Sequence, residues 1–154
     1  MVDITYIDTG EGWIYLAVIL DACSRKVVGW AMGISLEATL VTEALKRAQK
    51  ERCPAPGLLH HSDRGVQYAS GAYRALLAQL KIVPSMSRAA NPYDNAFAES
   101  FMATFKTECF EETPATHVEA RLKVFDYLET FYNPRRLHSA LGYKSPVEFE
   151  KHFR

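Results

Sequence analysis

Apolar residues in the first third of the chain alternate or run together, and further on they recur with a helical period. Residues 3–9, DITYIDT, alternate loosely and are rich in β-formers, which predicts a strand. Gly10-Glu11-Gly12 suits a tight hairpin turn. Residues 13–21, WIYLAVILD, are almost continuously apolar, the pattern of a central strand covered on both faces. Asp21 to Lys26 turn the chain, and Val27 to Met32 form a third strand. Three strands joined by short turns predict an antiparallel meander.

The period then changes. Leu40, Val41, Ala44, Leu45 and Ala48 mark a helix over about 36–51, ended by Cys53-Pro54-Ala55-Pro56-Gly57. Leu58 to Ser62 form a short strand that delivers Asp63 at its C-terminal end, where Arg64-Gly65 breaks it. Tyr73, Leu76, Leu77 and Leu80 mark a helix over 70–81, and Ile82 to Met86 a fifth strand. Residues 87–94 form a loop with turn chemistry at Asn91-Pro92 and a helix cap at Asp94. The stretch from Asn91 to Glu108 then becomes helical: Phe97, Phe101 and Phe105 share one face, while Glu99 and Lys106, two turns apart, share the roughly opposite one. A helix over 117–132 turns Val118, Leu122, Phe125 and Leu128 inward. After Asn133-Pro134 and a basic segment, Ser145 caps a last helix with Glu148 at its third position. Helices interspersed with strands must cover the sheet, so the order predicts one mixed α/β layered domain over 1–154 with no internal linker. The first strand starts almost at Met1, so the chain is expected to be a piece of something longer.

Composition narrows the class. The 154 residues are 48% hydrophobic and 12% aromatic, which fits a globular domain able to bury a core without staples. No apolar run approaches the length of a membrane span, and MVDITYI is not a signal peptide. Cys23, Cys53 and Cys109 are far apart with no CxxC pair, so they read as free thiols in a reducing, cytoplasmic compartment. Formal net charge is zero, so any nucleic-acid surface must be a local patch. Lys and Arg outnumber Asp and Glu from Arg121 onward, and His117, His138 and His152 fall in the same region.

Three acidic residues stand out by position. Asp3 lies in the first strand, Asp63 ends the fourth, and Glu99 follows Asp63 with 35 residues between them, 64 to 98. If the first and fourth strands are neighbours, Asp3 and Asp63 meet at one edge of the sheet and the long helix can bring Glu99 against them. Two carboxylates at 4 Å repel by on the order of 4 kcal/mol at an effective dielectric of 20, so such a cluster takes up protons or a cation. All-oxygen ligands suit Mg²⁺ or Mn²⁺. Two such ions can activate a water or a 3′-hydroxyl and stabilise the leaving oxygen of a phosphodiester.

At these residues the chain resembles the catalytic core of insertion-sequence transposases in the retroviral integrase superfamily, the insertion-sequence-three group. The matching pieces are Asp3-Ile4-Thr5-Tyr6-Ile7, WIYLAVILDACSRKVVGWAM (13–32), HHSDRGVQYAS (60–70), SMSRAANPYDNAFAESFMATFKTE (85–108) and FYNPRRLHSALGYKSP (131–146). The resemblance implies an RNase H-like fold, a mixed five-stranded sheet flanked by helices. It implies that Asp3, Asp63 and Glu99 form a DDE triad holding two Mg²⁺ or Mn²⁺ ions. It implies that Lys106 contacts DNA near the cut end. The implied reaction is nicking of a transposon end, then attack of the freed 3′-hydroxyl on target DNA. The implied partners are double-stranded DNA and further copies of the chain, with no membrane. The chain departs from the family at Ala90, usually glycine, and it lacks the upstream DNA-recognition region.

Other readings stay in view. A nuclease that only hydrolyses, or an inactive DNA-binding or dimerising remnant, would share much of this pattern. Asp8 and Asp21 read as turn residues. Of His60 and His61, one is expected in the core and one toward the site. Arg135, Arg136 and His138, with Tyr132 and Asn133, form a basic-aromatic cluster that either contacts phosphate or makes a solvated turn with Tyr132 packed inward. Tyr6, Trp13, Tyr15 and Trp30 read as core.

Overall fold

A computed structural model describes residues 1–86 and 96–153. The expected turn at Asn91-Pro92, the cap at Asp94 and the loop residue Ala90 lie outside the described residues. Strands β1 (Val2–Ile7), β2 (Ile14–Leu20) and β3 (Val27–Gly33) form the expected antiparallel meander. Register pairs Asp3 with Val18 and Tyr6 with Tyr15. Helix α1 (Ala38–Arg52) follows, then β4 (Leu59–Ser62), α2 (Gly71–Gln79) and β5 (Val83–Met86).

The five expected strands are present, but they do not form one five-stranded sheet. β1, β2 and β3 make one sheet, and β4 and β5 make a separate parallel pair. β4 lies beside β1 without a ladder between them. A four-residue strand turns the backbone groups of only two residues toward each neighbour, too few to hold a long register.

β2 explains the layering. Its Leu16, Val18 and Leu20 join one core, and its Ala17 and Ile19 join another on the opposite face. The first core packs against helix α3 (Ala96–Cys109), helix α4 (His117–Phe125) and a π-helical segment, Asp126–Tyr132. The second packs against α1 and α2 through Leu40, Val41, Ala44, Leu45, Tyr73 and Leu77. Close approach of α1 to the sheet depends on Gly29 of β3, where an added Cβ would lie 2.4 Å from the Ala44 carbonyl oxygen. Gly29→Ala should therefore destabilise the chain by about 1–3 kcal/mol in urea unfolding, because backbone, not a flexible side chain, must yield.

The inward face of α4 differs from expectation. Val118, Leu122 and Phe125 are 54–66% exposed, whereas Ala120 and Val124 are fully buried. Small residues let this helix approach the sheet closely, and the larger apolar stripe is left outside. The π-helical turn then changes the register, so that Tyr127, Leu128 and Tyr132 all reach the core, with Asn133 N–H bonded to the Leu128 carbonyl. The buried Asn133 side chain acts like a further strand residue: it accepts from Val27 N–H and donates to Val27 C=O, both at 2.9 Å. Ser145 caps α5 (Pro146–Phe153) by accepting from Glu148 N–H at 3.2 Å, as expected.

Candidate functional site

The site is built at the junction of β1, β4 and α3. On β1, alternation places Asp3 on the same side as Ile7, which belongs to the core beneath α3. Asp63 follows the last residue of β4, and its carboxylate is fixed locally: Oδ1 accepts from Gly65 N–H at 2.7 Å. A side chain at Gly65 would crowd the site, since a Cβ would lie 2.9 Å from that same oxygen and 2.6 Å from Gln67 Oε1, and both side chains would have to shift. Asp3 and Asp63 line one small cleft of about 190 Å³ together with Gly65, Gln67 and Tyr68.

Glu99 stands on the first turn of α3 and is exposed. Phe101 and Phe105 bury the opposite side of the helix, and Phe97 is half-buried. The amphipathic reading of this helix holds: aromatic residues anchor it and Glu99 and Lys106 face outward. Glu99 does not line the small cleft, but its charge reaches Asp3. Among the described residues, no three His, Cys, Asp or Glu side chains converge closely enough to surround one ion.

Electrostatics ties the three together. Burial pushes the Asp3 carboxyl up from 3.8 to about 6, and the charges of Asp63 and Glu99 push in the same direction against a backbone hydrogen bond. The folded chain therefore retains the Asp3 proton between pH 3.8 and about 6, where the unfolded chain releases it. Stability from this group is complete at low pH and is lost as pH rises through about 6. A rise of this size is worth roughly 3 kcal/mol. Without divalent cations, Asp3→Asn should thus be nearly neutral at about pH 4 and stabilising by roughly 2–3 kcal/mol at about pH 7.5. Urea midpoints of the two chains at both pH values check this; a difference that does not change with pH contradicts it.

Tyr68 was not singled out as a site residue in the sequence. It is buried in the Asp3–Asp63 cleft, and burial, reinforced by those two carboxylates, keeps its hydroxyl protonated and able to donate. Its sequence signal was its place in the HHSDRGVQYAS stretch, five residues after Asp63. His60 is the core histidine: it is buried, bonded through Nε2 to the Tyr73 hydroxyl, and held neutral by burial, which lowers its pKa to about 3. His61 is half-buried, with Nδ1 3.3 Å from Ser85 Oγ. Asp21 is a turn residue, accepting from Cys23 and Ser24 N–H.

Lys106 lies with its ammonium 4.8 Å from the centre of the Tyr6 ring, and Tyr6 stacks on Trp13 with centroids 4.6 Å apart. Tyr6 and Trp13 are 49% and 55% exposed, so the expectation that they are core is corrected. Each covers the other at the strand ends, beside a cation. Tyr15 and Trp30 are half-buried and border the cores.

The basic cluster is divided. Arg135 is exposed. Arg136 forms a two-pronged pair with Glu108, through Nε and Nη2 at 2.8–3.0 Å, and Tyr127 donates to the same carboxylate at 2.6 Å. His138 is buried edge-on to Tyr132, and burial, with Arg136 and Arg25 nearby, lowers its pKa to about 4. Tyr132 is packed inward, its hydroxyl donating to the Arg25 carbonyl at 2.9 Å. Among the described residues, no helix is long and apolar enough to cross a membrane.

Comparison with known proteins follows the same lines. Two family descriptions, both of the integrase core domain, match residues 1–92 and 80–146. The transposase for insertion sequence element IS904 of Lactococcus lactis is 47% identical over 151 residues, covering 97% of this chain and 60% of its own length. Transposase InsF for insertion sequence IS3A of Escherichia coli is 43% identical, covering 96% of this chain and 52% of its own. The chain thus spans little more than half the length of these curated relatives. Among solved structures, a chain of the simian T-cell lymphotropic virus intasome with a PP2A regulatory subunit superposes with TM-score 0.78 over 96% of this chain and 52% of that one, at 16% identity. The HTLV-2 integrase catalytic core in complex with magnesium gives 0.71, over 96% and 92%, at 13% identity. The fold is RNase H-like, as the sequence implied.

Proposed function

The chain belongs to the integrase core domain family, and we propose that it is the catalytic core of a longer DDE transposase that cleaves transposon-end DNA and joins the 3′-hydroxyl to target DNA. The observation that carries this reading is that Asp3 and Asp63 line one cleft where β1 meets the end of β4, with Glu99 on the first turn of the helix that packs on β1. Three carboxylates from β1, the end of β4 and α3, with burial resisting the ionised form of one of them, fit divalent cations of the Mg²⁺ or Mn²⁺ class. Asp3, Asp63 and Glu99 would hold two such ions, which supply positive charge to activate the attacking hydroxyl and stabilise the leaving oxygen.

The remaining work belongs to this chain's own groups. Gly65 N–H fixes one oxygen of Asp63 and so orients the other. The Tyr68 hydroxyl keeps its proton beside the two aspartates as a fixed donor. The phenylalanine ridge of α3 holds Glu99 at the junction. Lys106, over the Tyr6–Trp13 stack, offers a cation to a DNA phosphate near the cut end. Arg135, Arg136 and His138 add contacts farther along the strand. The DNA is double-stranded, both transposon ends and target, and several copies of the chain act together on it.

A Mn²⁺-dependent assay on oligonucleotides bearing transposon ends tests this reading. Both cut ends and joined products are expected. Cut ends without joined products would favour a nuclease that only hydrolyses.

A further inference from the structure

A second cleft, of about 430 Å³, opens on another flank of α3. Ser100 and Thr104, one turn apart on the helix, form one wall; Arg25, Arg136, His138 and Tyr143 border the rest. Among the described residues, Glu99 takes no part in it and no carboxylate lines it. Two guanidinium groups, several hydroxyls and a histidine make it a surface rich in donors.

Its two cations are held differently. Arg25 has positive φ and places its guanidinium 5.1 Å from the centre of the Phe97 ring, with no carboxylate partner among the described residues. Arg136 is fixed by Glu108 through Nε and Nη2, which leaves Nη1 toward the Leu137 carbonyl and His138. Arg136 Nη1 lies 3.5 Å from His138 Nδ1. An arginine can only donate, so Nδ1 is the accepting nitrogen and Nε2 carries the proton. Among the described residues His138 is 8% exposed and that Nε2–H, closed off at the cleft wall, has no partner. A small turn of the ring toward the cleft would let a ligand oxygen accept from it and satisfy a buried donor. At the rim, Tyr143 is 70% exposed and offers a ring for stacking.

We propose that this cleft seats one backbone phosphate of a DNA strand, held by Arg25, His138 and Arg136, beyond the strand's contact with the carboxylate cluster. The proposal rests on the DNA-processing reading above. It adds Arg25, Ser100, Thr104 and Tyr143 to the DNA surface and makes it continuous around α3. A chain of zero net charge needs such local sites, since it has no basic excess to supply affinity.

The test uses the chain carrying Asp63→Asn in metal-free buffer. Binding of a short labelled duplex is followed by anisotropy over a salt series, and the His138 ring nitrogens by NMR. Duplex should shift the His138 Nε2 resonance. Arg25→Gln should weaken binding roughly tenfold and lower the salt slope by about one. Thr104→Glu, which places a carboxylate in the cleft, should abolish the His138 shift, while Lys46→Gln on the distant face of α1 should not. A His138 shift with inorganic phosphate but not with duplex would make the cleft a free-anion site and overturn the proposal, as would silence with both. The two readings fail separately. Normal Mn²⁺-dependent cutting and joining by the unmodified chain, with a silent His138 in the Asp63→Asn chain, removes the cleft alone. A His138 response in the Asp63→Asn chain, with an unmodified chain that neither cuts nor joins, removes the transposase reading alone.

Discussion

Asp63→Asn is expected to remove Mn²⁺-dependent cutting and joining by about a thousandfold or more, while the chain stays folded. The substitution keeps the size of the side chain and one carbonyl oxygen to accept from Gly65 N–H, so the turn after β4 can persist. What it removes is a charge at the point where β1 and β4 come together. That charge raises the Asp3 carboxyl and is one of the three that would hold the cations. Metal-free stability should therefore hold or rise, because repulsion on Asp3 falls. Gel assays of both steps beside thermal melts of both chains check the prediction. Equal activity in the two chains would contradict it, and so would a loss of activity accompanied by unfolding.

Phe105→Ala is expected to cost about 3–5 kcal/mol in urea unfolding. Phe105 is fully buried, with the rings of Phe101, Phe110 and Tyr127 at 5.7–6.0 Å between centroids. Removing a ring enclosed by these three leaves a cavity, so a cavity term adds to lost burial. Phe97→Ala on the same ridge should cost clearly less, because Phe97 is only partly buried. The comparison matters for the site, since Glu99 and Lys106 ride on this helix. If Phe105→Ala costs less than about 1 kcal/mol, the ridge is not what holds α3 in place.

The reach of the sequence is clearest in β2 and α3. An unbroken apolar run has two faces to cover, and WIYLAVILD delivers Leu16, Val18 and Leu20 to one core and Ala17 and Ile19 to the other. The phenylalanine spacing alone puts Glu99 and Lys106 on the outer side of α3, where both are exposed. Where periodicity misled, the competing force was packing distance. On α4 two stripes compete, and the smaller residues, Ala120 and Val124, won because they bring the helix closer to the sheet. The π-helical turn that follows is invisible to a pattern of constant period. Tyr6 and Trp13 looked like core because they are aromatic, but stacking lets two rings shelter each other at a sheet end. The single five-stranded sheet failed on strand length: apolar runs show where strands form, not which neighbours have enough backbone groups to pair. The partnership of Arg136 with Glu108 also lay beyond local reading, since those residues are 28 positions apart.

The central claim is that Asp3, Asp63 and Glu99 act as one cation-holding set. Calorimetric titration with Mn²⁺ at neutral pH tests it most directly. The account predicts uptake by the unmodified chain, and loss or strong weakening of that uptake in Asp3→Asn, Asp63→Asn and Glu99→Gln alike. Undiminished uptake in Glu99→Gln, or none in the unmodified chain, would contradict it.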